Sequence, residues 1–255
     1  MSTRLELIPL SGIGEVAVGE RLGGAFAAAA ERAGHPARSE DVLVVSQKVV
    51  SKAEGRVRRL AEVEPGARAL ELAATLAKDP RMVELVLRES RRIVRAERGV
   101  LIVETHHGWV CANAGIDASN VPGEDAVTLL PADPDSSAAR IRAELALAGG
   151  ARPGVVVADS FGRPWRLGQT DVAIGCAGIR AIEDWRGRRD GDGRELTATA
   201  IAIADELAAA ADLARDKVAG VPAVLVTGAG RWVTEEDGEG AGAALRRAAG
   251  EDLFR

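Results

Sequence analysis

From Val155 to Gly178 the chain reads VVVADSFGRPWRLGQTDVAIGCAG. A valine run ends abruptly at Asp159-Ser160. A polar stretch follows with Gly162, Arg163, Pro164, Trp165, Arg166, Gly168, Gln169, Thr170 and Asp171, and then a second apolar run begins. The pattern predicts a strand, a polar loop and another strand. A connection that only reverses the chain needs a few turn residues. Two carboxylates, two arginines, two hydroxyls, an amide and a tryptophan at the end of a buried strand mark a place where such folds put chemistry. The alternative at this point is a well-capped surface loop.

The rest of the chain supplies partners for those strands. Leu5 and Leu7 alternate with polar neighbours as a short strand that leads into Gly12 and Gly14, and Glu20 to Ala33 has helical spacing with Gly34 as its stop. Asp41 to Val45 reads as a buried strand. Helices are predicted over Pro65 to Lys78 and Pro80 to Arg95, each opened by proline, with Arg91, Arg92 and Arg95 on the solvated face of the second. Val100 to Val103 is a strand, His106-His107-Gly108 a turn, and Val127 to Leu130 another strand. Asp133 caps a helix to about Ala148. Gly187 to Gly193 is a turn between two strands, Leu196 to Ala214 runs into a long Ala-rich helix, and Val221 to Val226 is the last core strand. The acidic, glycine-rich tail from Glu235 to Gly250 is expected to pack loosely.

At 255 residues with 47% hydrophobic content the chain can bury a large core. Its formal net charge of −5 argues against general nucleic-acid binding, which wants a basic face. No apolar run approaches the roughly 18 residues of a membrane span. A cytoplasmic protein is expected, with Cys111 and Cys176 as small buried hydrophobes.

Only four residues are lysine, and Lys48 and Lys52 lie four apart in SQKVVSKAEG. That spacing puts both ammonium groups on one side of a strand or a helix. Two cations suit an anionic ligand or, equally, a solvated edge. The segment Ala112 to Asn120 is a second polar loop of small residues, where Asp117, Ser119 and Asn120 offer hard oxygens. Thr227-Gly228-Ala229-Gly230 invites a dinucleotide reading, but Val233 replaces the third glycine of G-x-G-x-x-G. Phosphate-loop, zinc-protease and esterase signatures are absent from the sequence. Carboxylates, hydroxyls and amides without a Cys/His cluster favour Mg²⁺ or Mn²⁺ over zinc, and lysines beside exposed amides complement phosphate. The residues together point to metal-assisted chemistry on a phosphorylated ligand.

The segments GIGEV, VVSQKVVSKAEGRV, DPRMVELVLRES, GWVCANAGIDASN, LLPADPDSSAARIR, DSFGRPWRLGQTDVAIGCAGI and ADELAAAADL resemble, in order, the GTP-dependent coenzyme F-420-0:L-glutamate ligases, which add glutamate to a deazaflavin coenzyme. The resemblance implies an α+β fold with mixed sheets, flanking helices and two intimately associated parts, in an intertwined homodimer. It implies that Ile13, Gly14, Glu15, Val16, Gln47, Lys48, Lys52 and Asn120 contact GTP, and that Asp117, Asp159 and Ser160 hold paired divalent ions, with potassium as a further cation. Phosphoryl transfer from GTP to a carboxylate of the F-420 precursor would precede attack by the L-glutamate amine. Arg163 and Arg166 are candidates for gripping a carboxylate or phosphate of the second substrate, or else for stacking on Trp165 or pairing with Asp171. Family members often carry arginine before glycine after the last core strand, where this chain has Thr227-Gly228, a departure within the expected nucleotide pocket. Some relatives continue into a nitroreductase-like domain; residues 1–255 are expected to be one ligase domain without it. The alternative is a nucleotide-binding regulatory relative or a ligase with another acceptor.

Overall fold

The computed structural model describes residues 4–119, 123, 125–215 and 220–252. Among them the strands and helices are, in order, β1 (Glu6–Leu10), α1 (Leu22–Arg32), β2 (Val42–Ser46), α2 (Gln47–Ala53), β3 (Val57–Arg59), α3 (Ala67–Leu76), α4 (Pro80–Arg88), β4 (Ser90–Glu97), β5 (Val100–Thr105) and β6 (Val110–Ala112). Then come β7 (Ala126–Thr128), α5 (Pro134–Gly149), β8 (Gly154–Arg163), β9 (Arg166–Ala177), β10 (Glu183–Asp184), β11 (Ala200–Ile201), α6 (Ile203–Ala214), β12 (Ala223–Thr227) and α7 (Gly240–Ala244). The fold is α+β, as expected.

The main sheet has five strands in the order β1-β12-β2-β8-β9. Only β2 and β8 run parallel; the other pairs are antiparallel. Val42 and Val44 face one side and Leu43 and Val45 the other, and all four are fully buried. The period of two in a strand therefore feeds two cores. One joins Leu43, Val45, Val155 and Val157 to α1 and α5 through Phe26, Ile141 and Leu145. The other joins Val42, Val44, Val156 and Val224 to α6 and α7 through Ile203, Leu207 and Ala241. A third core packs α3 and α4 on the β4-β5-β6 sheet, with Leu72, Val83, Leu101 and Val103 at its centre.

Several expectations are corrected. The second proline-led helix stops at Arg88, and Arg91, Arg92 and Arg95 lie on β4, which pairs with β5 across a left-handed turn at Arg98 (φ 52°) and Gly99 (φ 73°). Arg92 reaches Glu104 on β5 at 2.8 Å, so charges that look like a helix's wet face belong to a cross-strand pair. The polar loop after Ala158 is not a loop: β8 and β9 continue as paired strands through Ser160↔Asp171 to Arg163↔Arg166. The strand signal vanishes there because this arm is wet on much of its surface. The Ala-rich helix begins at Ile203 rather than near Leu196.

The C-terminal tail is docked, not loose. Arg142 on α5 is 1% exposed, and its Nη1 meets Asp237 Oδ1 at 2.6 Å while Nη2 donates to the Thr234 carbonyl at 2.5 Å. Asp135, also on α5, accepts from the amides of Ala241 at 2.7 Å and Gly242 at 3.1 Å. Gly178 (φ 69°) makes room for this: a Cβ there would sit 2.2 Å from Arg142.

Candidate active site

The parallel pair β2/β8 ends at Ser46 and Ala158, and the C-terminal ends of parallel strands are where open sheets leave room for ligands. A cavity of about 930 Å³ opens there. Its floor is the end of β2 and the start of α2, held against the last strand by Ser46 N donating to the Pro222 carbonyl at 2.8 Å. The chain enters α2 directly from the strand, so Lys48 and Lys52, one helical turn apart, both face the cavity. Val50, on the other side of α2, is fully buried.

Ile13, Gly14, Glu15 and Val16 form one wall. Lys52 Nζ donates to Glu15 Oε1 at 2.7 Å and ties that wall to α2. The opposite wall is the small-residue loop after β6. Asn113, Ala114 and Gly115 take three successive left-handed conformations, a costly arrangement for the two non-glycine residues. A Cβ on Gly115 would meet Leu130 at 2.7 Å. The turn delivers Asp117, which forms an antiparallel bridge with Thr128.

Lys48 Nζ lies 2.8 Å from Asp117 Oδ2 and 2.5 Å from Ser119 Oγ. Burial acts to raise the Asp117 carboxyl, but the Lys48 ammonium and the Ser119 amide and hydroxyl outweigh it and hold the group below its ordinary value. Asp159 behaves in the opposite way. Protein surrounds its carboxyl on all but the cavity side, and that burial pushes it up to about 7, with the Asp117 charge adding and Lys48 and Arg215 opposing.

Most of the residues predicted for the site therefore meet. Gln47 is fully buried and accepts from Ser51 Oγ at 2.8 Å, so its side chain faces the interior. Arg163 and Arg166 sit at the tip of the β8–β9 arm and do not line the cavity, and Arg163 donates to the Leu167 carbonyl at 3.3 Å. Asp171 pairs with Arg215 instead. Asn120 lies outside the described residues. Thr227 and Gly228 line a separate cavity of about 500 Å³ with Arg4, His35 and Arg38, beyond the end of β12 opposite to Val221-Pro222. The departure from the arginine-glycine pattern thus falls away from the large cavity. Arg215, which sequence reasoning left unassigned, and Asp171, which it offered only as a partner for Arg163 or Arg166, belong to its wall.

A model of the F420-0:gamma-glutamyl ligase family matches residues 12–228. The chain belongs to that family. It is 42% identical to the coenzyme F420:L-glutamate ligase of Methanothermobacter thermautotrophicus over 225 residues, covering 88% of this chain and 89% of that one. The coenzyme F420:L-glutamate ligase of Archaeoglobus fulgidus is 41% identical over 255 residues, covering 99% and 97%. That of Haloarcula marismortui is 42% identical over 229 residues, covering 87% and 86%. The F420-0:gamma-glutamyl ligase match spans the Ile13–Val16 wall, α2, the Asp117 loop and the β8–β9 arm alike, so every wall of the cavity lies inside it.

Among the described residues, no three His, Cys, Asp or Glu side chains gather as a self-sufficient metal cage. Two carboxylates and a hydroxyl, Asp117, Asp159 and Ser160, do line one cavity with two lysines. That donor set fits Mg²⁺ or Mn²⁺, which are held by one or two carboxylates and complete their shells with water and phosphate oxygens. The raised Asp159 carboxyl fits too, since a cation beside it offsets both burial and the Asp117 charge. Among the described residues, no helix is long and apolar enough to cross a membrane.

Proposed function

We propose that this chain is a GTP-dependent ligase that joins L-glutamate to the F420-0 precursor, with a capacity for further gamma-glutamyl units. The observation that carries this reading is the meeting, around one cavity, of Lys48 and Lys52 with Asp117, Asp159 and Ser160, five residues from three distant parts of the chain. Asp117, Asp159 and Ser160 would hold Mg²⁺ or Mn²⁺. When bound, the metal supplies positive charge against the phosphate oxygens. Lys48 and Lys52 neutralise the triphosphate, and the Ile13–Val16 wall lies along it.

The precursor's carboxylate oxygen attacks the γ-phosphorus and the bond to GDP breaks, giving an acyl phosphate. The neutral amine of glutamate then attacks the acyl carbon, phosphate leaves, and the amine's proton passes to solvent. Alignment and fixed charge supply most of the acceleration in such transfers. The arm tip, with Leu167 99% and Trp165 80% exposed, suits burial against a second copy, and a homodimer in the cytoplasm is part of the proposal. Arg163 and Arg166, at that tip, are proposed to grip an anionic group of the second substrate. Unchanged KM values for glutamate and coenzyme in both R163A and R166A would reject that role.

The test is mass spectrometry of protein incubated with GTP, Mg²⁺ or Mn²⁺, L-glutamate and F420-0, with ATP replacing GTP as the control. Product heavier by glutamyl units, formed only with GTP, is the expected result. Binding of GTP without product would move the reading to another acceptor.

A further inference from the structure

Ser160 stands opposite Asp171 in the β8–β9 ladder, and its Oγ donates to Asp171 Oδ1 at 2.6 Å. The other oxygen of Asp171 accepts from Nη2 of Arg215, just beyond the end of α6. The Asp171 side chain is 3% exposed and that of Arg215 is 9%. Both border the large cavity. An ion pair this deep costs the desolvation of two charges and is at best a weak source of stability compared with apolar packing. Its placement calls for another reason.

The hydroxyl offers one. Ser160 has a single proton, and giving it to Asp171 leaves only acceptor lone pairs for whatever occupies the cavity. Without that acceptor the hydroxyl could rotate and present its proton instead. Arg215 fixes the acceptor: with one oxygen bound to the guanidinium, the carboxylate keeps its other oxygen for Ser160. Among the described residues, the Nε of Arg215 is buried with no hydrogen-bond partner. Leaving such a donor unpaired is itself a cost, one that apolar packing would not incur.

We propose that Asp171 and Arg215 are positioning residues that hold the Ser160 hydroxyl as an oxygen donor for a divalent cation beside Asp159. The inference rests on the metal-assisted reading above. A merely structural ion pair would alter stability and leave the folded protein's metal affinity alone; the relay alters metal affinity itself, because outer partners that orient a ligand typically govern it 10- to 100-fold.

The experiment is an Mn²⁺ titration of the full chain, followed by electron paramagnetic resonance, with a non-hydrolysable GTP analogue present. D171N and S160A should each weaken Mn²⁺ binding about 10- to 100-fold, and the double variant should bind no worse than the weaker single one, since both act through one oxygen. Wild-type Mn²⁺ affinity in a folded D171N would overturn the relay and leave the metal reading standing. No Mn²⁺ uptake by the wild type would overturn both. Should D171N fail to fold, R215K and S160A form the second cycle: R215K keeps the charge but loses the planar fork, and its loss should disappear in the S160A background. Additive losses would overturn the proposal.

Discussion

Asp159 makes a claim about stability as well as turnover. Its carboxyl lies at about 7 in the folded chain, against an ordinary 3.8, chiefly because of burial. Between those values the folded protein holds a proton that the unfolded chain has lost. Stability therefore falls as pH rises from about 4 to about 7, and stays reduced above that. At about 1.4 kcal/mol for each pH unit, the penalty reaches about 4 kcal/mol. This is an upper bound, because one side of the carboxyl opens to cavity water. D159N keeps the volume and removes the charge. In EDTA, its stability relative to wild type should climb by up to about 1.4 kcal/mol per pH unit between pH 5 and 7 and level off above. At pH 8 the full difference corresponds to a Tm rise of about 10 °C for a chain of this size. Urea unfolding followed by circular dichroism at pH 5, 6, 7 and 8 measures it. Turnover should be abolished in the same variant. A difference between variant and wild type that stays flat across pH would refute the claim that burying this charge sets the cost.

Other expectations follow from single contacts. K52M should weaken GTP binding at least about 10-fold, because a largely buried ammonium on the cavity floor is lost; calorimetric titration reads it. R142M should cost about 3 kcal/mol, toward the lower end for a broken buried pair because Asp237 is 42% exposed. Limited trypsin digestion of R142M should then cut after Arg231 and release the segment that follows it. Cys111 and Cys176, both pushed up to about 12 mainly by burial, should resist iodoacetamide at pH 8 until the protein is unfolded; quantitative labelling of the native protein would contradict their burial.

The inner strands β2 and β12 and the first half of β8 are readable because each is an unbroken valine-rich run, a signal that does not depend on neighbours. The four-residue spacing of Lys48 and Lys52 puts them on one face whether their segment is strand or helix, and Asp117 stands out among small residues. Asp171 and Arg215 were not legible in the same way. Their meaning depends on Ser160 lying across from Asp171, and that register continues beyond the point where the apolar pattern stops. β4 was hidden for a related reason, since its arginines serve two wet strand faces as well as they would a helix. The tail's docking was hidden by distance along the chain: its anchors, Asp135 and Arg142, precede it by about a hundred residues. The dispersed polar loops converge only once β2, β8 and β12 are side by side, and no local pattern records that.

The strand order has a consequence for synthesis. β12 lies between β1 and β2, so an inner strand of the sheet is the last to leave the ribosome. Until residues 223–227 emerge, β1 has no neighbour and one edge of β2 stays bare. The nascent chain can collapse around α3, α4 and the β4-β5-β6 sheet well before that, but the main sheet and the cavity floor at Ser46 and Pro222 cannot be completed until β12 has been made. During that interval the valine-rich edge of β2 is the segment most in need of a chaperone's cover.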